Sequence, residues 1–225
     1  MNSNPQDETS VKKYGLAFHT ATPELGLAIS NFAGDSRCQT WNLGRSLATD
    51  LHQHLVEFIG PQTWADLAFI AVAKGPGGFT GTRMGMVTAR TLAQQLDIPV
   101  FAISTLAAVA WAAPPQPPLG KGGLLREDMA LQMPAQRGQL FGAVYSVNKD
   151  SGLTELFPDT VMTAESWQEK LESWENSYQL IEVGSELGWS VSSVLELAYL
   201  EWKQGSRPDW SGALPFYGQH PVKGH

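Results

Sequence analysis

The chain has 225 residues, of which 43% are hydrophobic and 16% charged, the balance of a globular protein with a full apolar core. Its formal net charge is −7 at pH 7, so it has no electrostatic reason to bind a phosphate backbone by itself, and a DNA- or RNA-binding module is disfavoured. Cys38 is its single cysteine, which excludes an intramolecular disulfide and fits a reducing compartment.

The chain begins with a polar segment, MNSNPQDETSVKK, and these residues 1–13 are predicted to form a disordered leader. The segment lacks the apolar core of a signal peptide. The longest strongly apolar stretch, Leu106 to Ala113, is far shorter than the ~20 residues that span a bilayer. We therefore expect a cytoplasmic protein without a membrane segment.

Residues 14–113 are predicted to form an N-terminal lobe that opens with three strands. In the first strand, Tyr14, Leu16 and Phe18 alternate with smaller residues, a pattern typical of β-structure. A helix is expected from about Arg45 to Ile59, where apolar residues share one stripe. The other two opening strands are predicted at Leu25–Ser30 and Cys38–Leu43.

The remainder of this lobe alternates buried strands with helices. Leu67–Ala73 is a near-continuous apolar run of the kind found in a buried parallel strand, and Val100–Ile103 is a second one. Helices are expected from about Thr80 to Leu96 and from Ser104 to Ala112, with Ser104 as the N-cap. The lobe thus has three strands and a helix, followed by two strand–helix pairs. This order of elements predicts an α/β fold with a mixed sheet and crossover helices.

A segment rich in proline and glycine separates this lobe from the rest of the chain. Residues 114–126 contain PPQPPLGKGG, which forms neither a helix nor a central strand and is predicted to be an inserted loop. Residues 127–225 are predicted to form a C-terminal lobe and tail, whose last helix is expected to pack back on the N-terminal lobe. The sequence of this part predicts strands at Met129–Pro134, Gln139–Asn148 and Gln179–Val183. It also predicts helices at Thr163–Asn176 and Ser192–Trp202, followed by coil from Arg207.

The most informative segment is KGPGGFTGTRMG, residues 74–85, at a predicted strand-to-helix junction. Glycine permits positive φ and close backbone approach, and free amide groups at the start of a helix can bind an anion. The loop is therefore either a phosphate cradle or a structural turn that lets a helix pack closely. Neither a Walker loop nor a dinucleotide-binding fingerprint fits its spacing. The residues of this possible anion-binding or structural loop are Gly75, Pro76, Gly77, Gly78, Phe79, Thr80 and Gly81.

The helix after this loop carries a ridge of small residues, Gly81, Gly85, Ala89 and Ala93, spaced four apart. Such a ridge lets another helix approach to the short end of the usual distance of about 8–10 Å. Methionine and arginine residues on the other faces of the helix are typical of protein interfaces. The helix is therefore a candidate for a contact with another protein, and core packing is the competing interpretation.

Residues 74–110 resemble the TsaB (YeaZ) family, which carries a GPGSFTGLRIG-like loop, a helix, an Ile-Pro turn and a Ser-Thr-Leu helix start in this order. The matching residues here are Gly75–Gly81, Arg83, Gly85, Ile98-Pro99 and Ser104-Thr105-Leu106. Residues 135–140 with Tyr145 are similar to a DARRGEVY-like hairpin of the family, and Pro215-Phe216-Tyr217 to its closing Pro-x-Tyr element. The resemblance covers roughly residues 14–148 well.

This resemblance implies an actin/Hsp70-like (ASKHA) two-lobed α/β fold with mixed sheets flanked by helices. It also implies a non-catalytic scaffold subunit of the complex that transfers threonylcarbamoyl to adenosine 37 of tRNAs reading ANN codons (t6A modification). In this family the chain binds the catalytic subunit TsaD, TsaE then joins and hydrolyses ATP, and tRNA binds only through the complex. We expect no cofactor on this chain, ATP and metal on the partner subunits, and a homodimer when the chain is alone.

The family pairs through two helices of the N-terminal lobe, here at about 45–59 and 80–96. These two helices are therefore expected to bind TsaD, and the same surface to form the homodimer. The partner-interface residues that the resemblance implies are Leu47, Leu51, His54, Gly81, Arg83, Gly85, Met86, Ala89, Arg90 and Ala93.

Two positions depart from the family pattern, and both remove a carboxylate. His19 stands where the first strand of this fold usually carries an aspartate that organises metal and phosphate. The hairpin reads Pro134-Ala135-Gln136 in place of Asp-Ala-Arg, and proline there ends or bulges a strand. A site for magnesium and a nucleotide needs such carboxylates, so both changes disfavour catalysis by this chain.

Several other hypotheses remain beside the scaffold. The main alternative is an independent nucleotide-binding protein or ATPase that uses the glycine-rich loop. His52 and His54 lie two apart on a helix, about 200° around its axis, so they cannot share a metal ion and are predicted to be surface residues.

His19 is either a switch or a buried, hydrogen-bonded residue, and Cys38 is expected to face the core. A serine hydrolase is disfavoured because no Gly-x-Ser-x-Gly element is present.

Overall fold

The computed structural model describes residues 14–113, 128–148 and 152–218. A five-stranded sheet comes first, and its strand order is β3-β2-β1-β4-β5. The first strand pairs antiparallel with the second and parallel with the fourth, so the sheet is mixed as predicted. Its strands are β1 (Tyr14–His19), β2 (Glu24–Ser30), β3 (Ser36–Asn42), β4 (Leu67–Ala73) and β5 (Val100–Ile103).

A second, four-stranded sheet follows with the order β8-β7-β6-β9. Its strands are β6 (Asp128–Pro134), β7 (Gln139–Asn148), β8 (Gly152–Thr163) and β9 (Tyr178–Glu182). The helices are α1 (Leu47–Ile59), α2 (Phe79–Leu96), α3 (Thr105–Ala112), α4 (Ala164–Glu172) and α5 (Val191–Lys203). No helix within the described ranges is both long and apolar enough to cross a membrane.

The first sheet is buried on both faces because its strands alternate between two hydrophobic clusters. Leu16 and Phe18 point to one face and pack with the apolar sides of α1 and α2. Ala17 points to the other face, into a cluster that contains α3, α5 and residues of the second sheet such as Tyr145. The helices α3 and α5 therefore join the two sheets into one continuous core.

The C-terminal part of the chain returns to the first sheet. Helix α5 contacts β1, β2, β4 and β5, and the Val100 N–H donates to the Pro208 carbonyl at 3.2 Å. Farther along, the Arg90 guanidinium lies 5.8 Å from the centre of the Trp210 ring. The last helix thus packs on the sheet formed by the N-terminal residues.

Most elements occur where the sequence predicts them. The bounds of β4, β5 and β7 agree with the prediction, and Ser104 caps α3 by accepting the Ala107 N–H at 3.1 Å. Helix α1 begins two residues late, at Leu47, because a 3₁₀ turn over Gly44–Ser46 precedes it.

One strand was not predicted, and two expectations are wrong. Strand β8 was not predicted because it is a half-exposed edge strand without apolar alternation, and its pairing with β7 is irregular. Helix α4 ends at Glu172, not Asn176. Cys38 is exposed, since β3 is itself an edge strand and largely solvent-facing. The predicted leader at 1–13 and the predicted inserted loop at 114–126 lie outside the described residues.

Candidate functional site

The glycine-rich loop joins the end of β4 to the start of α2, and it is crossed by the segment that follows β1. The Gly78 N–H donates to the Ala21 carbonyl at 2.6 Å. A Cβ atom on Gly77 would lie within 3.0 Å of the same carbonyl oxygen, so glycine is required there for close approach. Gly75 has φ of +98°, which favours glycine as well. The glycines of the loop therefore allow the segment after β1 to pack directly against the loop backbone.

The small residues of α2 face the same segment. The Thr20 hydroxyl donates to the Gly81 carbonyl at 2.8 Å. A Cβ atom on Gly85 would lie within 3.0 Å of that hydroxyl oxygen, and one on Gly81 within 3.0 Å of the Thr20 carbonyl oxygen. Ala89 and Ala93 are completely buried farther along the helix. The ridge thus packs inside the molecule.

The C-terminal tail closes the other side of the glycine-rich loop. The Phe216 N–H donates to the Lys74 carbonyl at 2.7 Å, and a Cβ atom on Gly75 would lie within 3.0 Å of the Phe216 carbonyl oxygen. The Phe216 ring lies 6.2 Å from that of Phe141 on β7, and the Tyr217 ring 4.7 Å from that of Phe79. The tail therefore lies between the loop and the second sheet.

These contacts bear on the two interpretations of the loop. An anion cradle requires amide groups and open space at the helix start. Here the Gly78 amide is used by Ala21, and the backbones of Thr20, Ala21 and Phe216 occupy the places that side chains would otherwise fill. The residues present do not fit a nucleotide phosphate in this arrangement, and close packing accounts for the glycines.

Many residues of the expected partner interface are buried within the chain. They belong to the inner faces of α1 and α2, which pack on the first sheet and on the segment after β1. Their side chains are covered by the chain itself in this structure, and their assignment to a partner interface stays a prediction. The residues concerned are Leu47, Leu51, Gly85, Met86, Ala89 and Ala93.

The remaining predicted interface residues are accessible to different degrees. Arg83 is exposed, whereas His54, Gly81 and Arg90 are half-buried. His54 packs on the Trp41 ring with 4.6 Å between ring centres, and Arg90 lies over Trp210. Arg83 is thus the predicted interface residue that is most available to a partner.

Helix α2 also carries an exposed apolar stripe that the sequence analysis missed. Phe79 is 53% and Val87 60% exposed, and Arg83 lies between them with its guanidinium 5.3 Å from the centre of the Phe79 ring. The three residues are four apart and therefore share one face of the helix. On the neighbouring helix α1, Val56 is 62% exposed. The signal was present in the sequence as two valines on the otherwise polar sides of these helices.

His19 ends β1 and is completely buried. Neither of its ring nitrogens has a hydrogen-bond partner among the described residues, so the expectation of a hydrogen-bonded histidine is wrong. Burial lowers the pKa of His19 to about 4, which keeps the imidazole neutral near pH 7. His19 cannot replace the charge of a carboxylate at this position.

The hairpin between β6 and β7 lacks acidic side chains as well. Pro134 is the last residue of β6, and the turn closes with the Ala135 N–H donating to the Gln139 carbonyl at 2.8 Å. Gln136 and Arg137 are exposed at its tip. Pro134 thus stands where the related family motif has an aspartate, and the hairpin tip presents an amide and a guanidinium.

Comparisons with known proteins give a consistent result. A family model described as "TsaD: tRNA N6-adenosine threonylcarbamoyltransferase" matches residues 55–152. The chain is 36% identical over 107 residues to "tRNA threonylcarbamoyladenosine biosynthesis protein TsaB" of Bacillus subtilis (strain 168), a match that covers 48% of this chain and 42% of the relative. The protein of the same name from Buchnera aphidicola subsp. Acyrthosiphon pisum is 29% identical over 122 residues, covering 54% and 52%. The chain thus spans about half the length of the curated relatives it matches.

Two solved structures match nearly the whole chain. A Pseudomonas aeruginosa protein described as similar to peptidase YeaZ has a TM-score of 0.72 at 21% identity, covering 92% of this chain and 99% of that one. YeaZ from the same organism has a TM-score of 0.71 at 21% identity, covering 91% and 100%. These structures confirm the predicted actin/Hsp70-like fold. The sequence matches and the common fold thus make the chain similar to proteins of the TsaB (YeaZ) family.

Proposed function

We propose that this chain takes part in the biosynthesis of threonylcarbamoyladenosine in tRNA as a non-catalytic scaffold subunit that binds TsaD and TsaE. In this proposal, the complex transfers threonylcarbamoyl to adenosine 37 of tRNAs reading ANN codons, and the chemistry takes place on TsaD. Support for the pathway comes from the curated relatives, whose names place them in threonylcarbamoyladenosine biosynthesis.

One observation carries the scaffold role: the chain's own backbone fills the glycine-rich loop. The Gly78 amide donates to Ala21, and Phe216 from the tail covers Gly75. A phosphate would have to displace both segments, and the energetic cost of breaking these contacts disfavours nucleotide binding. We therefore expect no cofactor on this chain, and ATP and metal on the partner subunits.

The two departures near the loop support the same proposal. A magnesium–nucleotide site needs oxygen ligands, preferably carboxylates. At the end of β1 the chain has a buried, neutral His19, and at the hairpin it has Pro134 at the aspartate position. Neither side chain supplies the negative charge that a divalent cation requires.

The partner surface we propose is the exposed α2 stripe of Phe79, Arg83 and Val87, together with Val56 of α1. Aromatic and arginine side chains are enriched at protein interfaces, and α1 and α2 contact each other. The matching TsaD family model indicates that TsaD and this chain are related in sequence, so two chains of similar fold would pair through corresponding faces. A homodimer through the same stripe is the expected state when TsaD is absent.

The net charge of −7 is relevant to how tRNA binds to the proposed complex. An acidic chain gains little from contact with a polyanion, so basic surface has to come from other subunits. We expect tRNA to bind only through the assembled complex, in the cytoplasm, where tRNA is modified.

The test is a binding titration of this chain with TsaD from the same organism. Val87→Asp and Arg83→Glu alter exposed side chains of the stripe and should weaken the complex at least about tenfold, because a charge is buried or reversed at the contact. Leu156→Asp is the matched control: Leu156 is 41% exposed and lies on β8 of the second sheet, so its variant should bind TsaD normally. If both stripe variants bind TsaD as tightly as the wild-type chain, the interface assignment is wrong.

A further inference from the structure

A cavity between the two lobes is lined by several charged and polar side chains. The cavity has a volume of about 310 Å³ and is bounded by the ends of β4 and β5, the start of α3, strands β7 and β8, and the C-terminal half of α5. It is separate from the α2 stripe, because none of the stripe residues lines it. The proposed scaffold role makes no use of it.

Lys74 contributes the positive charge of this interlobe cavity. It is the last residue before the glycine-rich loop, and its side chain is half-buried in the cavity wall. Within the described ranges, the Lys74 ammonium has no carboxylate oxygen within 4.0 Å. A partly desolvated ammonium without an ion pair is costly, so this position favours an anionic group from a ligand.

Carboxylates lie on the other sides of the same cavity. Glu155 on β8 and Glu201 on α5 line it directly. Partial burial raises the pKa of Glu201, and the nearby Lys74 opposes that rise. A cavity that holds one lysine and two glutamates carries an excess of negative charge, which favours a ligand with a positively charged group as well as an anionic one.

The buried hydroxyl groups of Ser104 and Tyr145 form the floor of the cavity. The Tyr145 hydroxyl donates to the Asp159 carboxylate at 2.7 Å, and the Ser104 hydroxyl oxygen lies 3.3 Å from the Tyr145 oxygen. Ser104 and Tyr145 are both more than nine-tenths buried. Side chains held in this way are pre-organised to accept or donate hydrogen bonds to a bound molecule.

The rest of the wall is aliphatic. Ile103, Leu153, Leu197 and Leu200 line the cavity together with small alanine residues. Its volume is at the lower end of the range of roughly 300–1,000 Å³ that is typical of small-molecule sites. The cavity therefore suits a small molecule that combines charged groups with a short apolar part.

We propose that the interlobe cavity binds a free α-amino acid with an aliphatic side chain. The ligand carboxylate pairs with Lys74, its ammonium group with Glu201 and Glu155, and its side chain contacts the leucines. A phosphorylated ligand would be repelled by the two glutamates. A metal ion alone is not favoured, because no group of three or more histidine, cysteine or acidic residues in the described ranges is placed to hold one.

The experiment is isothermal titration calorimetry of the full chain with three probes: L-leucine, leucinamide, which lacks the carboxylate, and 4-methylpentanoate, which lacks the ammonium group. We expect L-leucine to bind at least about tenfold more tightly than either analogue, since each analogue loses one charge-assisted contact. Lys74→Met should remove the preference for L-leucine over leucinamide. Glu201→Gln should reduce the preference over 4-methylpentanoate.

Lys203→Met is the matched control, because Lys203 is an exposed residue of α5 outside the cavity and its ammonium lies 5.5 Å from the centre of the Tyr199 ring. This variant should bind L-leucine like the wild-type chain, and circular dichroism verifies that every variant is folded. No heat of binding with L-leucine at about 10 mM, or binding that neither Lys74→Met nor Glu201→Gln changes, would overturn the proposal. The same variants should bind TsaD normally, so failure here is distinguishable from failure of the scaffold proposal.

Discussion

At the scale of single residues, His19 is the most unusual feature of the chain. Buried polar side chains are normally hydrogen-bonded, yet both nitrogens of this completely buried imidazole lack a partner within the described residues. The cost of charging such a group explains why burial lowers its pKa to about 4. In this environment His19 is a neutral core residue, and its burial makes the stability of the protein dependent on pH.

The direction of that dependence follows from linkage. The folded-state pKa of about 4 lies below the ordinary histidine value of 6.5, so folding favours the neutral form. The contribution of His19 to stability is fully present above about pH 6.5 and declines as the pH falls toward 4, by up to about 3 kcal/mol. Urea unfolding between pH 7.5 and 4.5 should therefore show that His19→Leu gains stability relative to the wild-type chain as the pH is lowered.

The control for this measurement is His52→Leu, which changes an exposed histidine of α1. Its stability should follow the wild-type pH dependence, because this substitution leaves the buried His19 in place. Parallel curves for His19→Leu and the wild-type chain would show that His19 is not a buried, neutral group.

At the scale of elements, the packing of α2 against the segment after β1 determines the shape of the loop region. The glycines at 81 and 85 allow the helix to approach Thr20 directly, and the Thr20 hydroxyl fixes the distance by donating to the Gly81 carbonyl. This contact lies within one chain and does not require a partner. It explains why a small-residue ridge on a helix does not by itself identify a surface for another protein.

Gly85→Ala tests this packing. The added methyl group would lie within 3.0 Å of the Thr20 hydroxyl oxygen, so either the helix or the hydrogen bond to Gly81 must shift. We expect a loss of stability of about 1–3 kcal/mol in urea unfolding, the usual cost of overpacking. Gly184→Ala is the control, since nothing lies within 4 Å of a Cβ atom there. Equal stabilities of the two variants would contradict the close approach of α2 to Thr20.

The elements also show how far the sequence determines the fold. Strands β4 and β5 were predictable because a buried parallel strand needs a continuous apolar run, and α3 because Ser104 marks its start. Strand β8 was not predictable, since an edge strand does not need a continuous apolar run. The inner residues of α1 and α2 were assigned to an interface because the family resemblance implies pairing through these two helices, and a resemblance does not say which face of each helix the chain itself covers.

The candidate site was less predictable than the fold, because its decisive contacts are long-range. The glycine-rich loop could be located in the sequence, but both interpretations of it remained open until the positions of Ala21 and Phe216 were known. Lys74, Ser104 and Tyr145 come from three different elements and form a cavity only after the two sheets pack together. No local pattern in the sequence predicts that these residues come together.

At the scale of the whole molecule, the chain combines a fold shared with YeaZ with a glycine-rich loop that its own tail covers. In the proposed division of labour, the chain supplies surface and its partners supply the catalytic groups. The exposed side chains of α1 and α2 are available to a partner in that scheme, and the interlobe cavity offers a separate site for a small ligand.

The scaffold role is tested most directly by mixing the purified chain with TsaD from its organism and measuring mass by size-exclusion chromatography with light scattering, with and without ATP. The account predicts a complex of the two proteins, together with a melting temperature of the isolated chain that ATP leaves unchanged. Two separate peaks would contradict it, and so would an ATP-induced rise in the melting temperature of this chain alone. In that case a bound nucleotide would be stabilising the folded state, and the chain would be an independent nucleotide-binding protein.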